Sequence, residues 1–182
     1  MKSIFFKTMA VVAMSVALAG VVACGDKENT TPEPQPGPDD SFQESNTFAF
    51  HYQDRTLEAG QTVYYYPTAE EADNDWAVVH FQMENKTDAN VDTYMKVELA
   101  EGPEAMGHLT ICFGETCKSG VCPWTSDAIP LTPGINYNQE VSLDYSPSNV
   151  TSKAVYRITI GKGTNLEDPQ VMFVDMAAMP QQ

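Results

Sequence analysis

The sequence predicts an all-β domain, a two-layer antiparallel β-sandwich of about eight strands. From residue 47 onward, apolar residues recur at every second position, which is the period of a strand that buries one face. Clusters of Gly, Pro and Asn separate these segments, and no stretch of convincing length has the period of an amphipathic helix. Two packed sheets are the economical way to bury one face of every strand.

The segments with this period follow one another through the chain. The longest unbroken alternation spans residues 76–85, where Ala77, Val79 and Phe81 share one face. The eight predicted strands lie at about residues 48–50, 63–66, 76–85, 93–99, 109–113, 141–145, 154–160 and 171–176. They place the domain at residues 47–178, which is enough chain for one core, and leave residues 179–182 as a short tail.

The first 23 residues have the layout of a secretory signal peptide, with Lys2 and Lys7 before an apolar run at residues 9–22. That run is shorter than the roughly 20 residues that span a bilayer. The following Val21-Val22-Ala23-Cys24 resembles the lipobox of bacterial lipoproteins. The resemblance implies cleavage before Cys24 and attachment of palmitate-type acyl chains there, which predicts a lipid-anchored protein of the outer membrane.

Residues 24–46 predict a disordered, acidic linker between the anchor and the domain. Prolines stand at positions 32, 34, 36 and 38, and the stretch 25–41 offers no apolar side chain for a core. Asp26-Lys27-Glu28 is similar to the short export signal of surface-exposed lipoproteins of the Bacteroidota. Exposure at the cell surface and a periplasm-facing position both stay open.

The strongly acidic composition excludes one class of partner. The chain has 25 acidic and 10 basic residues, and its formal net charge is -15. Binding to nucleic acid needs clustered Lys and Arg, and docking onto anionic lipid needs the same. We therefore expect membrane attachment through the lipid alone and no nucleic-acid partner.

Three segments together resemble an immunoglobulin-like domain of secreted proteins and lipoproteins of the Bacteroidota. They are residues 81–87 with an Asn-x-Thr turn, residues 111–117 with a Cys-x4-Cys pair followed by Pro123-Trp124, and Leu131-Thr132-Pro133-Gly134. The resemblance covers about residues 47–176 and implies an immunoglobulin-like sandwich. Such domains serve in adhesion, spacing and assembly, so the resemblance does not specify a function.

The predicted domain contains three cysteines, and an oxidising compartment favours one bridge among them. Cys112 and Cys117 are separated by a short segment that can form a tight loop, and the resemblance pairs these two positions. Pairings through Cys122 stay open. A zinc site of His108 with the three cysteines is a further alternative, although its spacing is wider than that of usual zinc knuckles.

Several other residues are candidates for ligand contacts. Tyr64, Tyr66 and Trp124, with Trp76, offer aromatic rings for a sugar or protein contact. His51, His80 and His108 are single histidines on predicted strands, and a pair of them is a candidate for haem or metal ligation. The acidic residues 70–75 lack the register of a calcium loop and predict a solvated loop. Residues 161–164 predict a hairpin turn, since they miss the spacing of a phosphate-binding loop.

No catalytic motif occurs in the sequence, which lacks Gly-x-Ser-x-Gly, His-Glu-x-x-His and a Ser-x-x-Lys set. We therefore expect neither an enzyme nor a cofactor. The sequence favours a non-catalytic outer-membrane lipoprotein that acts as a protein-interaction or structural module. The alternatives are a module that binds glycan or a small ligand through exposed aromatic residues, and a haem or metal carrier.

Overall fold

The computed structural model describes residues 42–102, 109–120, 123–147 and 154–176. These residues do not include the predicted signal peptide, the predicted lipid attachment site Cys24, most of the predicted linker, His108, Cys122 and the tail. The chain divides into two units, Met1–Glu33 and Pro34–Gln182, and every described residue belongs to the second. Within the described ranges, no helix has the length and apolar character needed to cross a membrane.

The described residues form twelve strands and one short helix. In chain order these are β1 (Phe48–Tyr52), β2 (Arg55–Leu57), β3 (Gln61–Tyr65), α1 (Ala69–Asp73), β4 (Ala77–Asn85), β5 (Val91–Glu101), β6 (Thr110–Phe113), β7 (Thr116–Ser119), β8 (Trp124–Thr125), β9 (Ile129–Leu131), β10 (Gly134–Tyr145), β11 (Ala154–Lys162) and β12 (Glu167–Met176). Each of the eight segments predicted as strands coincides with a strand, although Tyr66, Trp76 and Leu109 lie one residue outside the observed bounds.

The strands make two sheets. The first sheet has the order β2-β1-β4-β10-β6-β7, and the second has the order β3-β12-β11-β5-β8, with β9 also paired to β5. Every pair is antiparallel except β12 with β3, which is parallel. The predicted antiparallel arrangement does not hold for that one edge, because the chain crosses from β2 in the first sheet to β3 in the second, where β3 runs beside the last strand.

One hydrophobic core fills the space between the sheets. In β4, every second residue from Ala77 to Asn85 is buried, as the sequence alternation predicts. Facing side chains from the second sheet include Val97, Ile158 and Val174, all fully buried in the same cluster. The sandwich predicted from the sequence is therefore confirmed.

The short strands β2, β7, β8 and β9 were not predicted, because segments of two to four residues are too short to show an alternation.

The acidic residues 70–75 were predicted to form a loop, but the first four of them belong to the helix α1. Its start is fixed by a capping box, in which the Thr68 side chain accepts from the Glu71 N–H and the Glu71 carboxylate accepts from the Thr68 N–H. The helix was not predicted, because a single turn has too few residues to show the 3.6-residue period of an amphipathic helix.

The chain enters the sandwich at one end, which we call the entry end. Asp168, at the start of β12, accepts hydrogen bonds from Asn46 N at 2.9 Å and from Thr47 Oγ1. Ser45 N donates to Gln170 Oε1 at 3.0 Å, so the residues before β1 are bound to the second sheet. The folded part of the chain thus includes residues 42–46, whereas the sequence predicts that they belong to the linker.

The opposite end, the far end, carries the connection between β3 and β4. Tyr65 ends β3 opposite Met176, and Ala77 starts β4 opposite Tyr145. Asn85, at the other terminus of β4, pairs with Phe48 beside the entering chain. Because β4 contains eight steps of about 3.3 Å, the two ends lie about 26 Å apart.

Candidate functional site

Glu71 organises the crossover of residues 66–76 at the far end. Its Oε1 atom accepts a hydrogen bond from the Tyr65 hydroxyl at 2.6 Å and another from Val78 N at 3.3 Å. Its Oε2 atom accepts from Thr68 N at 2.8 Å. One carboxylate therefore binds the end of β3, the start of α1 and the start of β4, so the crossover is held to both sheets.

These contacts keep Glu71 ionised. Burial acts to raise its pKa, but the hydrogen bonds from Tyr65, Thr68 and Val78 outweigh burial and lower the pKa below the ordinary value of 4.5. The phenol of Tyr65 shifts in the opposite direction, because burial and the bond to the carboxylate both raise its pKa. The pair is thus a carboxylate acceptor and a neutral phenol donor across the neutral pH range.

Tyr145 completes this cluster from β10. Its side chain is only 1% exposed, and its ring meets the Tyr65 ring edge-on with centroids 6.2 Å apart. Its hydroxyl oxygen is buried and has no hydrogen-bond partner within the described part of the chain. Burial, followed by the charge of Glu71, raises the pKa of this phenol.

We expect the Tyr145→Phe variant to be as stable as the wild type at pH 7 or more stable by about 1 kcal/mol, since an unsatisfied buried hydroxyl carries a desolvation cost. Urea unfolding of the two proteins measures the difference. Tyr137→Phe, at an exposed tyrosine on β10, is the matched control. A loss above about 1 kcal/mol in Tyr145→Phe alone would contradict the structural assignment of this hydroxyl.

Stability should decline at both extremes of pH. Glu71 and Asp168 have lowered pKa values in the folded protein, so their contribution is complete above the ordinary values of 4.5 and 3.8 and is lost as acid protonates them. Tyr65 and Tyr145 have raised pKa values, so their contribution is present below 10.0 and is lost as the pH rises further. Urea midpoints measured across the pH range should therefore form a plateau with two falling limbs. An alkaline limb of unchanged slope in Tyr145→Phe would count against this assignment.

Two large aromatic side chains flank the crossover and stay exposed. Tyr66 is 62% exposed directly after β3, and Trp76 is 55% exposed directly before β4. The backbone N–H of Trp76 donates to the Glu71 carbonyl at 2.9 Å, so the residue has a fixed backbone position. We call Tyr66, Trp76, Glu70 and Asp73 the far aromatic face.

The aromatic residues predicted as ligand contacts have different environments. Tyr66 lies on the far aromatic face, and Tyr64 is half-buried on β3. Trp124 is only 7% exposed and belongs to the core cluster, so the expectation that it presents an exposed ring is wrong. The cause is its place on β8, opposite Val97, where its ring faces the interior.

The predicted bridge between Cys112 and Cys117 is confirmed. The two residues stand opposite each other on β6 and β7, with Cα atoms 4.0 Å apart. Gly114 has a φ of 57° in the turn between them, a conformation that glycine adopts without steric cost. The bridge thus closes a hairpin at the edge of the first sheet.

Replacing both Cys112 and Cys117 with alanine should lower the free energy of unfolding by about 2 kcal/mol, because the bridge restricts a small loop in the unfolded chain. Urea unfolding of oxidised wild type and variant measures this difference, and reduced wild type should resemble the variant. Equal stability of the variant and the oxidised wild type would contradict the prediction.

The two described histidines lie in separate pairs. His51 Nε2 is 2.8 Å from Glu84 Oε2, and His80 Nδ1 is 3.1 Å from Glu140 Oε1. No group of three or more metal-binding side chains occurs among the residues the structure covers.

The hairpin predicted at residues 161–164 is present between β11 and β12, where Lys162 pairs with Glu167.

Comparisons with known proteins show the fold but not a family. No protein-family model matches the chain, and no curated protein matches it. The structure is similar to the N-terminal domain of PorA, with 15% identity, a TM-score of 0.54, and coverage of 71% of this chain and 96% of that one. A PapD-like domain of human CEP192 matches with 9% identity, a TM-score of 0.38, and coverage of 87% and 99%, which is too weak a likeness to carry an argument. The chain is a β-sandwich module of this general architecture.

Proposed function

We propose that the protein is a non-catalytic, lipid-anchored module of the outer membrane that contacts a protein partner through its far aromatic face. The observation that carries the proposal is the placement of Tyr66 and Trp76. They lie at the end of the sandwich opposite the point where the chain enters, about 26 Å away along β4. The far end is therefore the end of the domain remote from residues 42–47, through which the chain joins the sandwich.

The far aromatic face has the properties of a contact surface. Tyr and Trp are enriched among the residues that dominate binding energy at protein interfaces, where large rings fill pockets on the partner. Single exposed apolar residues are ordinary, but here two rings flank one short crossover. The hydrogen bonds of Glu71 fix that crossover to both sheets, so little conformational entropy is lost on binding.

The N-terminal sequence supports the anchored arrangement. The lipobox-like Val21-Val22-Ala23-Cys24 supplies an attachment site, and the Pro-rich stretch after it extends at about 3.1 Å per residue in a polyproline conformation. That length holds the sandwich tens of ångströms from lipid, within reach of other envelope proteins. The acidic charge keeps the domain from docking onto anionic headgroups.

The test of the contact surface is photo-crosslinking in cells. A photoreactive phenylalanine analogue replaces Tyr66 or Trp76 in the full chain, and the matched control carries it at Tyr137, which is 72% exposed on the part of β10 nearer the entry end. We expect one envelope protein to be crosslinked from positions 66 and 76 and not from position 137. Equal crosslinking from all three positions, or none, contradicts the proposed surface.

A glycan array with the same protein separates the alternative function. Saturable binding to one polysaccharide that is lost in Trp76→Ala, together with no protein crosslink, would indicate that the partner is a glycan and not a protein.

A metabolic palmitate label tests the anchor, since the wild-type protein should carry the label and Cys24→Ser should not. An unlabelled wild-type chain would contradict the lipid anchor.

A further inference from the structure

A cavity of about 320 Å³ lies at the entry end, on the outer face of the second sheet. Residues 42–44 and 46 of the entering chain form one wall, and Arg157 of β11 forms the other with the start of β12. Arg157 lies on the outer face because its neighbours Tyr156 and Ile158 both belong to the core. The volume is within the range of small-molecule sites, which begins at about 300 Å³.

Arg157 brings unused hydrogen-bond donors to this cavity. Its Cζ atom lies 5.2 Å from the centroid of the Phe42 ring, so the guanidinium is held over an aromatic face. The Nε atom is shielded from solvent and has no acceptor, and no described carboxylate forms an ion pair with this guanidinium. Glu98, which stands opposite Arg157 on β5, is paired with Lys96 at 2.7 Å instead. The N–H groups of the terminal nitrogens are therefore available to a ligand.

Two carboxylates also line the cavity, and both already hold the entering chain. Glu44 Oε1 accepts a hydrogen bond from Ala59 N, and Glu44 Oε2 accepts one from Gln170 Nε2 at 3.3 Å. Asp168 accepts the two hydrogen bonds from the entering chain that are described above. Because an ionised carboxylate has about four acceptor positions, each of these two can accept a further donor. The cavity thus offers a cation on one side and acceptors of negative charge on the other.

We propose that this cavity binds a small molecule that carries both a carboxylate and an amine, the chemistry of an amino acid. The ligand carboxylate accepts hydrogen bonds from the terminal nitrogens of Arg157, whose planar fork matches two carboxylate oxygens. The ligand ammonium donates to Glu44 or Asp168. The site goes beyond the proposed function, since it lies at the opposite end of the sandwich from the far aromatic face.

Ligands with other charges fit the lining less well. A simple anion would be attracted by Arg157 but repelled by Glu44 and Asp168, and a simple cation would meet the reverse. An apolar ligand would remove water from all three charged groups without replacing its hydrogen bonds. A molecule with both charges satisfies the two sides of the cavity together.

The experiment uses the full lipidated chain, labelled with ¹⁵N, in phosphatidylcholine nanodiscs at neutral pH. The chain contains two arginines, Arg55 and Arg157, so two side-chain Nε–H signals report on the guanidinium groups separately. Arg55 is exposed on β2 in the other sheet and serves as the internal control. The probes are glycine, γ-aminobutyrate and ε-aminocaproate, which differ in the distance between their charges. Butyrate and butylamine are the controls with a single charge.

We expect at least one of the three amino acids to shift the Arg157 signal saturably and to leave the Arg55 signal in place. Butyrate and butylamine should bind about fivefold more weakly than that amino acid, because each lacks one ion pair. Arg157→Lys assigns the signal and should weaken binding, measured at the Asn46 amide, since lysine has no planar fork.

Glu44→Gln separates a charged site from a simple anion site. The variant keeps an acceptor oxygen for Ala59 N, and its backbone spectrum shows whether it is folded. It should weaken the amino acid about fivefold and leave butyrate no weaker, because the lost charge attracts only the ammonium. Glu140→Gln, on β10 in the first sheet, should change neither affinity.

Three results would overturn the proposal. They are the absence of a saturable Arg157 shift with any of the three amino acids, equal affinity for butyrate and the best amino acid, and equal shifts of Arg55 and Arg157. An amino-acid affinity that Glu44→Gln leaves unchanged would also overturn it. None of these results bears on the crosslinks expected from positions 66 and 76, so the two proposals are tested independently.

Discussion

Replacing Phe81 with alanine is expected to lower the free energy of unfolding by about 3–5 kcal/mol. Phe81 lies in the middle of β4 with no exposed surface, and its ring packs against Tyr52 with centroids 5.2 Å apart. Truncation removes the transfer free energy of a buried ring and leaves a cavity between two sheets that can close only partly. Because a typical domain is stable by about 5–15 kcal/mol, this one change removes a large part of the total. Urea unfolding followed by tryptophan fluorescence measures it.

The matched variant is Trp76→Ala, which truncates a larger ring that is 55% exposed. We expect a change within about 0.5 kcal/mol, as for ordinary surface substitutions. The contrast bears on function, because a large exposed ring that contributes little to folding is available for binding. A loss at Trp76 comparable to that at Phe81 would mean that its ring supports the crossover, and the far aromatic face would then lose its main argument.

The sequence predicted the core of this fold because the core strands are long. β4, β11 and β12 are nine or ten residues long, and residues 77–85, 154–160 and 171–176 within them alternate or run apolar, which predicts both the strand and its buried face. The same reasoning predicted that Ala77, Val79 and Phe81 share a face. It could not predict that β3 joins the second sheet in parallel with β12, since pairing partners depend on contacts far apart in sequence.

The candidate site was predicted only in part, because exposure of an aromatic ring is a tertiary property. Tyr66 and Trp124 are equally plausible contacts in the sequence, but β8 faces Trp124 into the core and the end of β3 leaves Tyr66 outside. The signal for the rigid crossover was present as the Thr68-x-x-Glu71 pattern, which is typical of a capping box. The sequence could not predict that the entry end and the far end lie at opposite ends of the sandwich. Their positions follow from the register of the strands, and hydrophobic periodicity does not specify register.

Asp168→Ala is expected to lower the free energy of unfolding by about 2–3 kcal/mol and to release the segment before β1. The carboxylate accepts hydrogen bonds from Asn46 N and Thr47 Oγ1, and bonds to a charged group contribute about 1.5–3 kcal/mol each when buried. We take the lower part of that range, because the Asn46 contact is exposed to solvent. Asp168 also has a φ of 48°, a conformation that aspartate tolerates better than alanine does.

Two measurements distinguish loss of this attachment from general destabilisation. Amide hydrogen exchange should accelerate at Asn46 and Thr47 in Asp168→Ala while exchange in β4 and β11 changes much less. Asp168→Asn, which keeps one acceptor oxygen and the backbone preference, should show about half of the loss. A double-mutant cycle with Thr47→Val should give a coupling energy of about 1 kcal/mol if the Thr47 contact contributes as the structure indicates.

The attachment matters for the proposed function because it holds the segment before β1 at the end of the domain opposite Tyr66 and Trp76. Lys86 Nζ donates to the Ser45 carbonyl, and the Phe42 ring packs edge-on against Phe173, so several contacts besides Asp168 hold the entering chain. If Asp168→Ala loosens this segment, the crosslink from position 66 should become weaker. A crosslink of unchanged strength in a variant with fast exchange at Thr47 would show that the partner does not depend on this orientation.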